Sequence, residues 1–86
     1  TLLYYFNKNV EIDFCVPSAQ LAIQVSYNLN DEATCEREVG GLIKFLKAFP
    51  DYHGYIITRD YQTQIMADGY TIEVVPIWKW LLQDNN

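Results

Sequence analysis

The chain has 86 residues, which makes one small domain at the size where a single core stabilises only modestly. Half of the residues are hydrophobic and 15% are aromatic, which excludes a disordered chain; no apolar run is long enough to span a membrane, and there is no signal-peptide pattern. Six basic against eleven acidic residues leave a net charge of −5, which removes the diffuse positive field behind most non-specific nucleic-acid affinity.

The chain opens at Thr1, directly in an apolar stretch and without an initiator Met, so it reads as a fragment whose N-terminal part is missing. Residues 2–6 (LLYYF) are β-prone, and Asn7-Lys8-Asn9 suits a tight reversal into residues 10–16 (VEIDFCV). That second segment alternates, with Ile12, Phe14 and Val16 expected opposite Glu11, Asp13 and Cys15. Pro17-Ser18-Ala19 is short enough for an antiparallel hairpin into residues 20–27 (QLAIQVSY). Here Leu21, Ile23, Val25 and Tyr27 share one face, and Ala22, Gln24 and Ser26 the other. Asp13, Gln24 and Ser26 are therefore expected on one face of adjacent strands, where any chemistry would lie.

Residues 28–31 are rich in Asn and Asp, which favour helix N-caps, so a helix is expected from Asn30 or Asp31 to Pro50. Cys35, Val39, Leu42, Ile43 and Leu46 recur at helical spacing and form its apolar face. Glu38 lies near the border of that face, Lys44 lies almost opposite it, and Lys47 lies at its edge. Acids crowd the first half and Lys44 and Lys47 the second, as the helix dipole prefers. Gly40-Gly41 inside the helix is expected to permit close packing or a slight distortion. Residues 55–58 (YIIT) read as a buried strand, joined by a right-handed crossover and parallel to residues 20–27. Residues 60–69 read as a polar loop, residues 71–75 (TIEVV) as a last strand, and Pro76 as the start of a short helix with Trp78, Leu81 and Leu82 towards the core. The fold class is α/β in the broad sense: an α+β mixed sheet of about five strands, ordered βββαββ, with one long helix on a face and a short C-terminal helix. Cys15 and Cys35 read as reduced thiols of a cytoplasmic protein, and two cysteines with one His are too few for a zinc site.

An acid on one strand, followed on the next by a carboxylate or Gln, one spacer and a Lys, is the PD-(D/E)XK pattern. Through Glu11-Ile12-Asp13-Phe14, Ile23-Gln24-Val25-Ser26-Tyr27, Thr34, Arg37-Glu38, Pro50 and Trp80-Leu81-Leu82, nearly the whole chain resembles a narrower group. These are the C-terminal nuclease-fold domains of uncharacterised bacterial and archaeal AAA+ family ATPases. The resemblance implies a restriction-endonuclease-like core and a Mg²⁺ site at Asp13 and Gln24, assisted by Glu11. It departs from the active pattern where Gln24 replaces an acid and Ser26 stands in place of the Lys. Lys47 is then the candidate for a displaced catalytic lysine. The implied function is a degenerate, inactive accessory domain serving assembly, regulation or nucleic-acid contact. Its partners would be the rest of the parent ATPase, a second copy in a homo-oligomer, or nucleic acid reached through the full-length protein, with no membrane contact. The alternatives are a weak Mg²⁺-dependent nuclease and a protein-interaction module using a sheet edge.

Overall fold

The computed structural model describes residues 3–6, 11–26, 29 and 31–84, with residues 3–6, 11, 83 and 84 described by backbone alone. The expected reversal at residues 7–9, the Tyr27 position and a cap at Asn30 lie outside these. The elements are β1 (Leu3–Phe6), β2 (Glu11–Val16), β3 (Leu21–Val25), α1 (Glu32–Ala48), β4 (His53–Thr58), β5 (Thr63–Ala67), β6 (Tyr70–Pro76) and α2 (Ile77–Asp84). They form an α+β domain around one mixed sheet ordered β1-β2-β3-β4-β6-β5. β3, β4 and β6 run parallel at its centre, and the other pairings are antiparallel.

Among the described residues the sheet has six strands where about five were expected, because residues 63–67 form β5 and not part of a polar loop. Asp68 and Gly69 have φ of 53° and 82°, the paired left-handed conformation of a two-residue hairpin turn. This turn fixes β5 against β6 from Thr63↔Val74 to Ala67↔Tyr70. β5 is an edge strand, so only alternate residues are covered and its sequence reads as polar.

Consecutive residues of the central strands feed two cores. Ala22, Ile56, Ile72 and Val74 pack with Val39, Leu42, Ile43 and Phe45 of α1. Their neighbours Ile23, Ile57 and Val75 form a smaller cluster on the other face, joined by Trp80 of α2. The two helices therefore cover opposite faces. The expected helical face of Val39, Leu42, Ile43 and Leu46 is buried against the sheet. Phe45 joins it with its ring tilted against Phe49 and edge-to-face with Tyr52, ring centroids 4.8 and 5.2 Å away.

Asp31 caps α1, and its Oδ2 accepts from the Thr34 hydroxyl at 2.6 Å. That bond is the main reason the Asp31 carboxyl is held below its usual pKa. α1 ends at Ala48, just before Pro50 forbids a further turn. The close approach between helix and sheet is made on the sheet side, at Gly54, where an added Cβ would lie 3.2 Å from Leu46 Cδ1. At Gly40 an added Cβ meets nothing within 4 Å among the described residues, so this helical glycine is not there for close packing. Gly40→Ala is therefore expected to raise the unfolding free energy by about 0.5–1 kcal/mol, because a helical glycine loses more backbone entropy. Urea denaturation of the variant checks this, and an unchanged or lower midpoint would contradict it.

Candidate functional site

Pairing between β2 and β3 starts at the hairpin with Val16↔Leu21 and runs through Cys15↔Ala22 to Phe14↔Ile23. The turn at 17–20 is closed by the Ala19 amide donating to Val16 O at 3.1 Å, with Gln20 at φ 55°. Beyond Phe14 two side chains continue the backbone ladder. The Asp13 amide donates to Gln24 Oε1 at 2.9 Å, and the Val25 amide donates to Asp13 Oδ2 at 2.9 Å. Each strand thus sends one side-chain oxygen to an amide of the other. The two residues make a reciprocal clasp where the strands part.

A bulge explains the parting. Against β1, Leu3 pairs with Cys15 and Tyr5 with Ile12, so β2 spends three steps where β1 spends two. Ile12 and Cys15 consequently both reach the α1-side core, at 0% and 5% exposure, although the sequence alternation assigns them to opposite faces. By alternation from Cys15, and by its pairing with Ile23, Phe14 falls on the α2 side. Gln24 shares the α1 side with Ala22. Asp13 and Gln24 are brought together at the gap between the strands, while Ser26 pairs beyond it with β4. The extra residue also removes the expected common face of Ile12, Phe14 and Val16. Phe14 is 37% exposed, and Val16 packs on the α2-side cluster.

The remaining candidates are spread apart. Ser26 continues β3, its amide donating to Ile57 O at 2.9 Å. Glu11 begins β2, and its side chain lies outside the described residues. Glu38 is half-buried, as its border position implies, and Oε1 lies 4.0 Å from Arg37 Nη2. Lys44 is exposed. Lys47 Nζ lies 3.3 Å from Asp68 Oδ2, at the β5–β6 turn. That turn precedes the first residues of β6, whereas Gln24 lies near the last residues of the parallel strand β3. Lys47 is therefore at the opposite end of the sheet, and the displaced-lysine role does not fit its position.

A hard divalent cation takes about six oxygen ligands, and Mg²⁺ requires them near octahedral positions. The clasp offers one carboxylate and one neutral amide, and an oxygen of each already accepts a backbone amide. Gln24 is also buried at 5% exposure. Among the described residues no three His, Cys, Asp or Glu side chains converge on a metal-sized site. The described residues do not fit a Mg²⁺ centre. Their geometry suits holding two diverging strands at a fixed distance, because both amides would otherwise lose their acceptors.

Sequence reasoning found both clasp residues but missed the backbone groups they serve. At the far end of β4 it also missed Thr58, whose 1%-exposed hydroxyl donates to Tyr61 O at 2.6 Å and accepts from the Tyr61 amide at 3.1 Å. Its strand-end position before two polar residues was the available signal. No helix among the described residues is long and apolar enough to cross a membrane. Compared with known proteins, the chain matches no family model, no curated protein and no solved structure.

Proposed function

We propose that this chain is a catalytically degenerate nuclease-fold domain, an accessory unit of a cytoplasmic AAA+ family ATPase that serves assembly, regulation or nucleic-acid contact. The order of elements supports the fold: three strands, a long helix, further strands and a closing helix. Thr34 and Arg37-Glu38 lie in the first half of α1, and Trp80 anchors α2 on Tyr55. The reciprocal clasp carries the functional part of the reading. The positions that would hold Mg²⁺ in an active relative here hold each other's strands, and the lysine position is Ser26. The net charge of −5 further opposes a phosphate backbone, since favourable contacts to it come from cationic groups.

The chain is accordingly expected not to cleave nucleic acid. Losing one preorganised charge contact to a reacting group typically costs ~3 kcal/mol, or a hundredfold and more in rate. Here two are absent together. The test incubates pure protein with single-stranded, duplex and branched DNA and RNA in Mg²⁺ or Mn²⁺, with Asp13→Ala alongside. No cleavage by either protein is the expected result. Cleavage that disappears in Asp13→Ala would overturn the reading and establish the weak Mg²⁺-dependent nuclease in its place.

A further inference from the structure

α2 has more apolar surface than the sheet uses. Trp80 turns inward onto Tyr55, with ring centroids 5.2 Å apart. Ile77, Trp78, Leu81 and Leu82 are 38%, 57%, 55% and 61% exposed. At about 100° per residue these four occupy a contiguous arc of about 140°, separate from the Trp80 direction. Beside α2 the sheet is also thinly covered. Its core on this side is Ile23, Ile57 and Val75, bordered by half-buried Val16, Leu21 and Val25 and by the exposed ring of Phe14. Parallel strands such as β3 and β4 normally have both faces covered.

We propose that a second copy of this chain covers this face, in a twofold dimer whose α2 helices pack antiparallel across the axis. An apolar helical arc crossing its own twin is self-complementary, as an isologous interface requires. The exposed fractions of these side chains place on the order of 500 Å² of apolar surface on the face, near the top of the range for a single patch on a monomer. Two such faces together bury on the order of 1,000 Å², the lower bound for a specific interface, so the dimer is weak and concentration-dependent. Charge permits the approach here more than elsewhere. Each copy carries −5, but the acids at 31, 32, 36, 38, 51, 60 and 68 sit on α1 and the loops, and α2 itself carries one Lys79 and one Asp84, with no net charge. On the α2 side Glu73 accepts from Gln64 at 2.6 Å. Trp78, a large ring at the middle of the patch, is the anchor.

Sedimentation velocity over concentrations from about 1 μM to 1 mM tests this, since a marginal interface of this size gives micromolar or weaker affinity. The expected result is a monomer at the dilute end and a dimer at the concentrated end. Added salt should strengthen it by screening repulsion between like-charged copies. Trp78→Glu and, separately, Leu82→Gln should weaken dimerisation at least tenfold while leaving the far-ultraviolet circular dichroism unchanged. Met66→Glu, on the β5 edge where Met66 is 78% exposed, should leave the dimer intact. In the unmodified protein, tryptophan emission should shift to the blue with concentration as Trp78 loses water, a readout independent of any variant. A monomer at every concentration would overturn the proposal. So would a dimer that survives Trp78→Glu, or one that is lost in Met66→Glu instead, which would place the contact on the sheet edge.

Discussion

Gly54→Val is expected to lower the unfolding free energy by about 1–3 kcal/mol, the usual cost of forcing extra methyl groups into a packed layer. Gly54 lies on β4 directly beneath α1, where even a single Cβ would sit 3.2 Å from Leu46 Cδ1, 3.5 Å from Ile72 Cγ1 and 3.7 Å from Leu42 Cδ2. Leu42 and Ile72 are fully buried and Leu46 is 2% exposed, so none can swing into solvent. The domain must either rotate these side chains off their preferred rotamers or lift α1 from the sheet. For 86 residues a total stability of roughly 4–13 kcal/mol is ordinary, so the loss is a large fraction. Urea denaturation measures it. Pairing Gly54→Val with Leu46→Ala should recover part of the loss, because the cavity of one change accepts the added volume of the other. Strict additivity of the two would show that Gly54 and Leu46 do not share a packing site.

Asp13→Ala is expected to lower stability by about 1–3 kcal/mol, and Asp13→Asn by less. The alanine leaves the Val25 amide without its acceptor in a half-buried gap, and a charged acceptor is stronger than a neutral one. Asparagine retains an oxygen that can reach the same amide. The sign separates structure from catalysis. Carboxylates kept for chemistry are commonly held against stability, and their removal tends to stabilise the fold. A carboxylate that closes a gap between strands has the opposite sign. An Asp13→Ala protein more stable than the parent would therefore contradict the clasp.

Much of the fold could be read from periodicity. Leu21, Ile23 and Val25 alternate with Ala22 and Gln24, and that alternation is the division between the two cores. The face of α1 was also legible, because four positions at helical spacing are buried. β5 was not, since Gln64 and Met66 face solvent at an edge and dilute the apolar signal. The Asp68-Gly69 pair was the stronger sign, as both residues tolerate the positive φ that a two-residue hairpin requires.

The site was only half legible. Alternation and a short loop correctly brought Asp13 and Gln24 to adjacent strands. A bulge is one inserted residue in a pairing register, and a strand's own sequence carries no mark of its partner's spacing. The extra residue between Ile12 and Cys15 turned both to the α1 side, so alternation could not be carried through it. Lys47 failed for a different reason. Helical spacing places it only around the axis, and the parallel crossover from β3 to β4 carries the end of α1 back over the start of the strands, away from Gln24.

The most direct test of the clasp is the amide nuclear magnetic resonance spectrum of the ¹⁵N-labelled chain during titration with Mn²⁺, which broadens signals near any bound ion. With both oxygens engaged by backbone amides, the Asp13, Gln24 and Val25 signals should keep their intensities relative to the rest of the sheet. Selective broadening of those three signals, abolished by Asp13→Ala, would show a working metal site and contradict the account.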